Sequence, residues 1–333
     1  MEVMKGVHQI PVNYKGRPLK LYLLLGPELA MLMDTGDAAV PESDILPYFE
    51  KIGFDPKRLT HVMATHPDVD HTGGLHRVYQ AAPQAKFVCG TLDREQVESP
   101  EGLARIRMRA HYFWHQMGMD DAALAKFMPR AGGYVPIAET FAGGETLRWD
   151  ANSYLQILHL PGHSHGHLGV YLPWENAAIV GDAVHGTANR FLDGKAAFAP
   201  TYMYIDEYLG TIGRLQSMKL DKLFSCHWPD CLTNEDVNSF LNDSRDYVWN
   251  AERVNLETVK AAGGGGGGGE GVTLKEVCLR AKPQLGDWPA ERDGDTRSMA
   301  CGHLQHLVGL GLVSVSDTPP VRYRYEPSWK GLK

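Results

Sequence analysis

Thr65-His66-Pro67-Asp68-Val69-Asp70-His71-Thr72-Gly73-Gly74 puts four metal-ligating side chains, His66, Asp68, Asp70 and His71, into six consecutive residues. The apolar run 59–64 before it reads as a buried strand. The paired glycines after it read as a tight turn into a helix beginning near Leu75. Residues 66, 68 and 70 would share one face of an extended strand, but the neighbours Asp70 and His71 would then point apart, so the chain must curl into a loop. A curled loop can offer two ligands to one cation and two to a second, as a dinuclear centre with ions roughly 3.5–4 Å apart requires. A solvated polar loop is the plain alternative for any single His-x-Asp.

Further pieces follow in order. Met33-Asp34-Thr35-Gly36 lies upstream; Pro161-Gly162-His163-Ser164-His165-Gly166-His167, Gly181-Asp182 and Ser225-Cys226-His227 lie downstream. The Pro-Gly before His163 forces a sharp exposed turn after a strand, which presents that imidazole. With the 65–74 loop, this set resembles the signature of the metallo-β-lactamase fold superfamily, commonly His-x-His-x-Asp-His, over residues 7–230. Asp68 stands where the second histidine usually is. A carboxylate there resembles diiron members, which carry Glu, and members regarded as hydrolases that carry Asp.

The resemblance implies a ligand set of His66, Asp68 and His163 for one ion, Asp70, His71 and His227 for the other, and Asp182 as the bridge. A carboxylate can lend one oxygen to each ion, whereas the two imidazole nitrogens face apart. Asp70 would also orient the nucleophile as the catalytic residue. Asp34 and His167 would support the ligands, His165 falls at a position the family varies, and His185 could reach substrate. Two divalent ions are implied, zinc first, with manganese or iron as alternatives because Asp68 adds a hard oxygen ligand.

A chain of 333 residues predicts about two domains. The 43% hydrophobic and 22% charged content is that of an ordinary globular protein, and the net charge of −7 gives no general attraction to polyanions or anionic membrane. The first residues lack an apolar core of signal-peptide length and no apolar run reaches about 18 residues, so a cytoplasmic location without membrane association is expected. Five scattered cysteines, an odd number, argue against a disulfide framework. Cys226 and Cys231 lack the second Cys/His pair of a closed zinc knuckle.

Strands at 7–12, 19–25 and 29–34 predict an opening β-meander; a helix at 44–52, a strand at 60–65, a helix from Leu75 and a strand at 86–90 give strand–helix alternation. Strands are also expected at 146–150, 154–159, 168–172, 177–180 and 220–225. The fold class is α/β, a four-layer αββα metallo-β-lactamase sandwich. Residues 100–133 break the rhythm as a helical insertion of two helices, able to cap the metal cleft with an apolar lid. Within it His111 and His115, at i and i+4, share a helical face; without a third ligand they read as a packed pair. Residues 197–203 read as a loop carrying Tyr202 and Tyr204, either able to donate to an oxyanion although ring burial is the plainer role. Asp206 should cap the next helix.

A long helix from Asn234 closes a catalytic domain of residues 1–260. The seven glycines 263–269 mark a linker over 261–271, and 272–333 reads as a small winged-helix-like domain of two helices and a hairpin. Its recognition helix, 298–306, carries no Lys or Arg, which disfavours nucleic acid and leaves packing or a homodimer contact. The expected function is metal-dependent hydrolysis of a small-molecule lactone, ester, thioester or amide. The alternatives are a metal-dependent nuclease and iron-dependent oxygen or sulfur chemistry.

Overall fold

The opening residues alternate as a meander should: β1 (Glu2–Met4), β2 (Val7–Tyr14), β3 (Arg17–Leu25) and β4 (Ala30–Met33) pair antiparallel in sequence order. In this computed structural model, which describes residues 1–262 and 270–326, the sheet continues with parallel β5 (His61–Met63), β6 (Lys86–Gly90) and β7 (Glu139–Phe141). A second sheet holds β8 (Thr146–Arg148), β9 (Tyr154–His159), β10 (Leu168–Leu172) and β11 (Ala177–Ile179). The start of the expected 197–203 loop instead pairs with residues upstream, as the short hairpin β12 (Asn189–Arg190) and β13 (Ala196–Phe198). The strand β14 (Lys222–Phe224) then adds to the second sheet parallel to β11.

Leu21, Leu23 and Leu32 of the first sheet share one buried cluster with Leu155, Ile157 and Val170 of the second, so the two sheets pack face to face. Phe49 and Val78, from helices outside the first sheet, belong to the same cluster. On the far side of the second sheet, Leu158, Val180 and Leu223 pack against helix Ile205–Ser217 and helix Asn234–Ala262. The result is the expected αββα sandwich. Its consequence for function is positional: β4, β5, β9, β11 and β14 all point their carboxyl ends at one edge of the sandwich, where their outgoing loops meet.

Two local expectations change. The insertion is not two helices but short segments, chiefly Pro100–Leu103, Ala104–Met108, Tyr112–His115 and Asp121–Phe127. Gln116 at φ 51° and Gly118 at φ 117° reverse the chain between them, and no long helix survives two left-handed residues. Asp206 lies inside the first turn of its helix, and the residue at the cap position before that helix, Tyr204, makes no side-chain cap. An acidic residue in that turn still faces the positive end of the helix.

The tail begins with β15 (Val272–Thr273), whose Thr273 caps helix Leu274–Leu285 reciprocally with Glu276. Helix Arg297–Gly309 follows, then β16 (Val313–Val315) and β17 (Arg322–Tyr325), in a three-stranded sheet of order β15-β17-β16. The glycines 263–269 expected to form the linker, and residues 327–333, lie outside the described residues. Packing does not break at the proposed boundary: Ala281, Leu285, Trp288 and Met299 share a buried cluster with Tyr202, Tyr208 and Val248. Gly302 lets helix Arg297–Gly309 approach so closely that an added Cβ would lie 2.0 Å from the Met203 carbonyl oxygen. Glu252 of the long helix accepts from His303 Nδ1 at 2.5 Å and His306 Nδ1 at 2.7 Å. Among the described residues no helix is long and apolar enough to cross a membrane.

Candidate metal centre

Four strand ends bring seven side chains together. β5 runs into the 65–74 loop, which curls into the short helix Val69–Thr72, so that Asp70 and His71 turn inward as His66 does. The turn after β9 presents His163, the turn after β11 Asp182, and the turn after β14 His227. Ligand atoms of His66, Asp68 and His163 lie within 4.8 Å of one another, as do those of Asp70, His71 and His227, and those of His66, His71 and Asp182. His163 Nε2 is 3.0 Å from Asp68 Oδ2, and His66 Nε2 is 3.6 Å from the same oxygen. His227 Nε2 is 3.6 Å from Asp70 Oδ2, and Asp182 Oδ2 stands 3.7 Å from His71 Nε2 and 3.4 Å from His227 Nε2.

The tautomers follow from the outer partners. His227 Nδ1 meets the Pro18 carbonyl at 2.7 Å and His163 Nδ1 the Thr201 carbonyl at 3.1 Å; a carbonyl only accepts, so each Nδ1 carries the proton. His71 Nδ1 donates to Asp34 Oδ2 at 2.8 Å. Thr65 Oγ1 gives its own proton to Asp34 at 2.8 Å and therefore accepts from His66 Nδ1 at 3.0 Å. All four Nε2 lone pairs then face the centre, and His71 and His227 Nε2 approach to 3.3 Å. Two lone pairs held that close repel unless a proton or a metal cation lies between them. His66 Nε2 and Asp182 Oδ1 are buried without any protein partner. Unpartnered donors of this kind, with imidazoles locked by outer acceptors, fit a pair of divalent ions.

Electrostatics agree with that fit. Burial pushes the Asp182 carboxyl up to about 7 and the His227 imidazole down to about 3. Burial alone would raise Asp68 too, yet the Arg107 guanidinium and His163 hold it well below the usual carboxylate range. His71 is likewise pushed down by burial but held well above the ordinary imidazole range by Asp182 and Asp34. So much opposed charge, buried together, is costly without ions to neutralise it.

The supporting residues sort by position. Asp34 sits at φ 61°, a left-handed conformation, and accepts from Thr65 N, Thr65 Oγ1 and His71 Nδ1. His167 Nε2 accepts from the Asp182 backbone N–H at 3.2 Å, and its ring stacks on His66. His185 is fully buried behind the centre, 3.2 Å from Thr201 Oγ1, and does not line the cavity. Tyr202 is also fully buried, paired with His303 Nε2 at 3.1 Å. Tyr204 does line the cavity, its ring stacked on His165.

Sequence reasoning missed Arg107, which pairs with Asp68 and donates to His163 Nε2 at 2.9 Å, and Arg17, 3.4 Å from Asp70. Arg107 lies in the insertion between Arg105 and Arg109, and nothing in that basic run marks which of the three points inward. The cavity over the centre measures about 580 Å³. Its wall includes Ile106, Met108 and Phe127 of the insertion, Phe198 of β13, and Arg292 and Arg297 of the tail.

Comparison with known proteins places this architecture. Residues 20–227, more than half the chain, match the family model described as the metallo-beta-lactamase superfamily. A hydroxyacylglutathione hydrolase of Aeromonas hydrophila is 23% identical over 64% of this chain, and the chain spans 62% of that relative's length. The crystal structure of a metallo-beta-lactamase family protein from Thermus thermophilus superposes with a TM-score of 0.74 at 19% identity, covering 98% of this chain and all of that one. A beta-lactamase domain protein from Burkholderia ambifaria gives 0.70 at 15% identity over 98% of this chain and 93% of its own. A subclass B3 metallo-beta-lactamase of Bradyrhizobium japonicum gives 0.52 at 16% identity over 74% and 90%. With the sandwich, the strand-end site and the family model in agreement, the chain belongs to the metallo-beta-lactamase superfamily.

Proposed function

We propose that His66, Asp68, His163, Asp70, His71, His227 and Asp182 would hold two divalent ions, and that the centre hydrolyses a small anionic acyl compound, a thioester before a lactone or ester. The observation that carries this is the set of four imidazoles, each with Nδ1 engaged outward and Nε2 turned to the centre, where only that of His163 meets a guanidinium, Arg107. When bound, such ions supply a hydroxide nucleophile near neutrality and polarise a carbonyl. Asp70, at the cavity floor, is placed to orient the attacking water. Water adds to the acyl carbon and the bond to sulfur or oxygen breaks, leaving a carboxylate and a thiol or alcohol. Tyr204 offers a phenolic donor on the wall, its proton held more firmly by burial.

The cavity supports an anionic substrate. Lys15, Arg17, Arg107, Arg130, Arg292 and Arg297 reach it against five carboxylates, Asp68, Asp70, Asp93, Glu95 and Asp295, of which Asp68 and Asp70 belong to the proposed ligand set. Arg17 and Arg292 both stack on Phe198, at 4.9 and 4.5 Å from the ring centroid, which fixes two guanidinium groups at one side of the mouth. The thioester preference draws on the similar hydroxyacylglutathione hydrolase, whose named substrate is a thioester. The buried helix Arg297–Gly309, packed over residues 299–304, supports a small substrate over nucleic acid.

The test is metal analysis of protein purified without added metal, followed by initial rates on matched acyl thioesters with and without a carboxylate. At least two equivalents of zinc or manganese, turnover of the anionic thioester, and a KM raised tenfold or more in Arg292→Met for that substrate alone are expected. Absence of turnover across thioesters, lactones and esters in metal-loaded protein would overturn the reading. Iron with oxygen-dependent turnover would replace it with redox chemistry.

A further inference from the structure

The pair His111 and His115, which sequence leaves without a third ligand, gains one in the fold. Cys301, in the middle of the tail helix Arg297–Gly309, packs against the insertion, and one ligand atom from each of the three residues lies within 4.8 Å of the other two. All three side chains are buried, Cys301 completely. Cys301 Sγ is 3.6 Å from His115 Nε2. With metal–nitrogen and metal–sulfur bonds of about 2.0–2.1 and 2.3 Å, two ligands on one tetrahedral ion stand roughly 3.5 Å apart, so this separation is already that of a coordination edge.

Hydrogen bonding gives only a partial account of the cluster, since the thiol meets His115 Nε2 and the Tyr323 side chain. His115 Nδ1 is buried without a partner, and its Nε2 meets no oxygen, only the sulfur. The ring is instead laid parallel to Tyr323 of β17, at 6.2 Å between centroids. His111 also lines the cavity, so a fourth coordination position would open toward solvent.

From this geometry we infer that His111, His115 and Cys301 form a third metal site, separate from the strand-end centre, which takes a thiophilic divalent ion such as zinc and clips the insertion to the tail. Two imidazoles and one thiolate suit zinc and disfavour manganese or magnesium, which prefer oxygen donors. The insertion and the tail each supply part of the cavity wall, and the backbone link from Val321 N to the Trp114 carbonyl, 2.9 Å, lies in the same contact. An ion there fixes the wall over the substrate without touching the reacting atoms. The site does not depend on the hydrolytic reading, because its ligands are none of the seven at the centre.

The experiment uses the full chain loaded with cobalt(II) as a spectroscopic stand-in for zinc, together with zinc counting. A cobalt-bound thiolate gives a charge-transfer absorption in the near ultraviolet that imidazole and carboxylate ligands do not. The expected result is such a band in the native chain, kept in Cys226→Ser and lost in Cys301→Ser, with the zinc content of Cys301→Ser lower by one equivalent. Cys226 is the control because its Sγ lies 3.8 Å from Asp34 Oδ2, beside the strand-end centre. A native chain without the band, or a band that disappears in Cys226→Ser, would overturn the inference. Should Cys301→Ser fail to fold, His111→Gln must lose the same single equivalent; unchanged zinc content in that folded variant would equally overturn it.

Discussion

Replacing Asp34 by Asn isolates what the outer carboxylate does for the centre. Asn tolerates the left-handed conformation at φ 61° and keeps the side-chain shape. Its amide has one acceptor oxygen where the carboxylate uses two, so Thr65 N and His71 Nδ1 can no longer both be satisfied. If the oxygen stays on Thr65 N, the amide NH2 faces His71 Nδ1 and drives its proton to Nε2, which removes one lone pair from the centre. Loss of an outer partner of this kind costs roughly 10–100-fold in metal affinity, or about 1.4–2.7 kcal/mol. Asp34→Ala adds a separate loss, since three buried donors, Thr65 N, Thr65 Oγ1 and His71 Nδ1, lose their acceptor at about 1–3 kcal/mol for each left unpaired. Competition titration against a chromophoric chelator at fixed pH, with circular dichroism to confirm folding, reads the first effect. Thermal unfolding reads the second. If Asp34→Asn takes up both ions with native affinity, the tautomer lock plays no part in metal binding.

Three further outcomes are expected. Arg107→Met removes a guanidinium that competes for Asp68 and His163, so one ion should bind at least tenfold more tightly by the same chelator assay, while the other is unchanged. Gly302→Ala forces a methyl against the Met203 carbonyl and should lower stability by about 1–3 kcal/mol in denaturant titration; an unchanged midpoint would show that the tail does not sit so close. Glu252 is held below the usual carboxylate range by His303 and His306 although burial opposes this, and His303 is held below the ordinary imidazole range chiefly by burial. Both groups bind fewer protons folded than unfolded, so their contribution is present above pH about 6.5 and is lost as pH falls, first through His303 and then, below about 4.3, through Glu252. Glu252→Gln should therefore be less stable than the native chain at neutral pH and level with it near pH 3.

What the sequence makes legible is what the backbone arranges locally. The 65–74 loop carries its ligands within one turn, and the outgoing turns after β9, β11 and β14 each carry theirs just beyond a strand end, so order alone identifies them. Short apolar runs likewise define β3 and β6, which are buried nearly throughout and so need not alternate. Arg17 and Arg107 escape this kind of reading, since a guanidinium on a long stem is placed by tertiary contact rather than by its neighbours in the chain. Cys301 lies 186 residues from the histidine it meets, and nothing local to either marks the meeting. The insertion misleads for a related reason: its apolar spacing suits helices, but Gln116 and Gly118 reverse the chain and leave Tyr112, Phe113 and Trp114 exposed.

The placement of Arg292 and Arg297 on the cavity wall has a consequence for the order of synthesis. His227, last of the seven residues at the strand-end centre, leaves the ribosome well before either arginine, and the long helix Asn234–Ala262 emerges between them. The sandwich can therefore bring those seven side chains together while the mouth is still open, and the tail arrives afterwards to narrow it. Chemistry and selectivity are laid down at different times and by different stretches of the gene. A lineage can thus exchange the tail for another and change what enters without touching a single residue of the 65–74 loop.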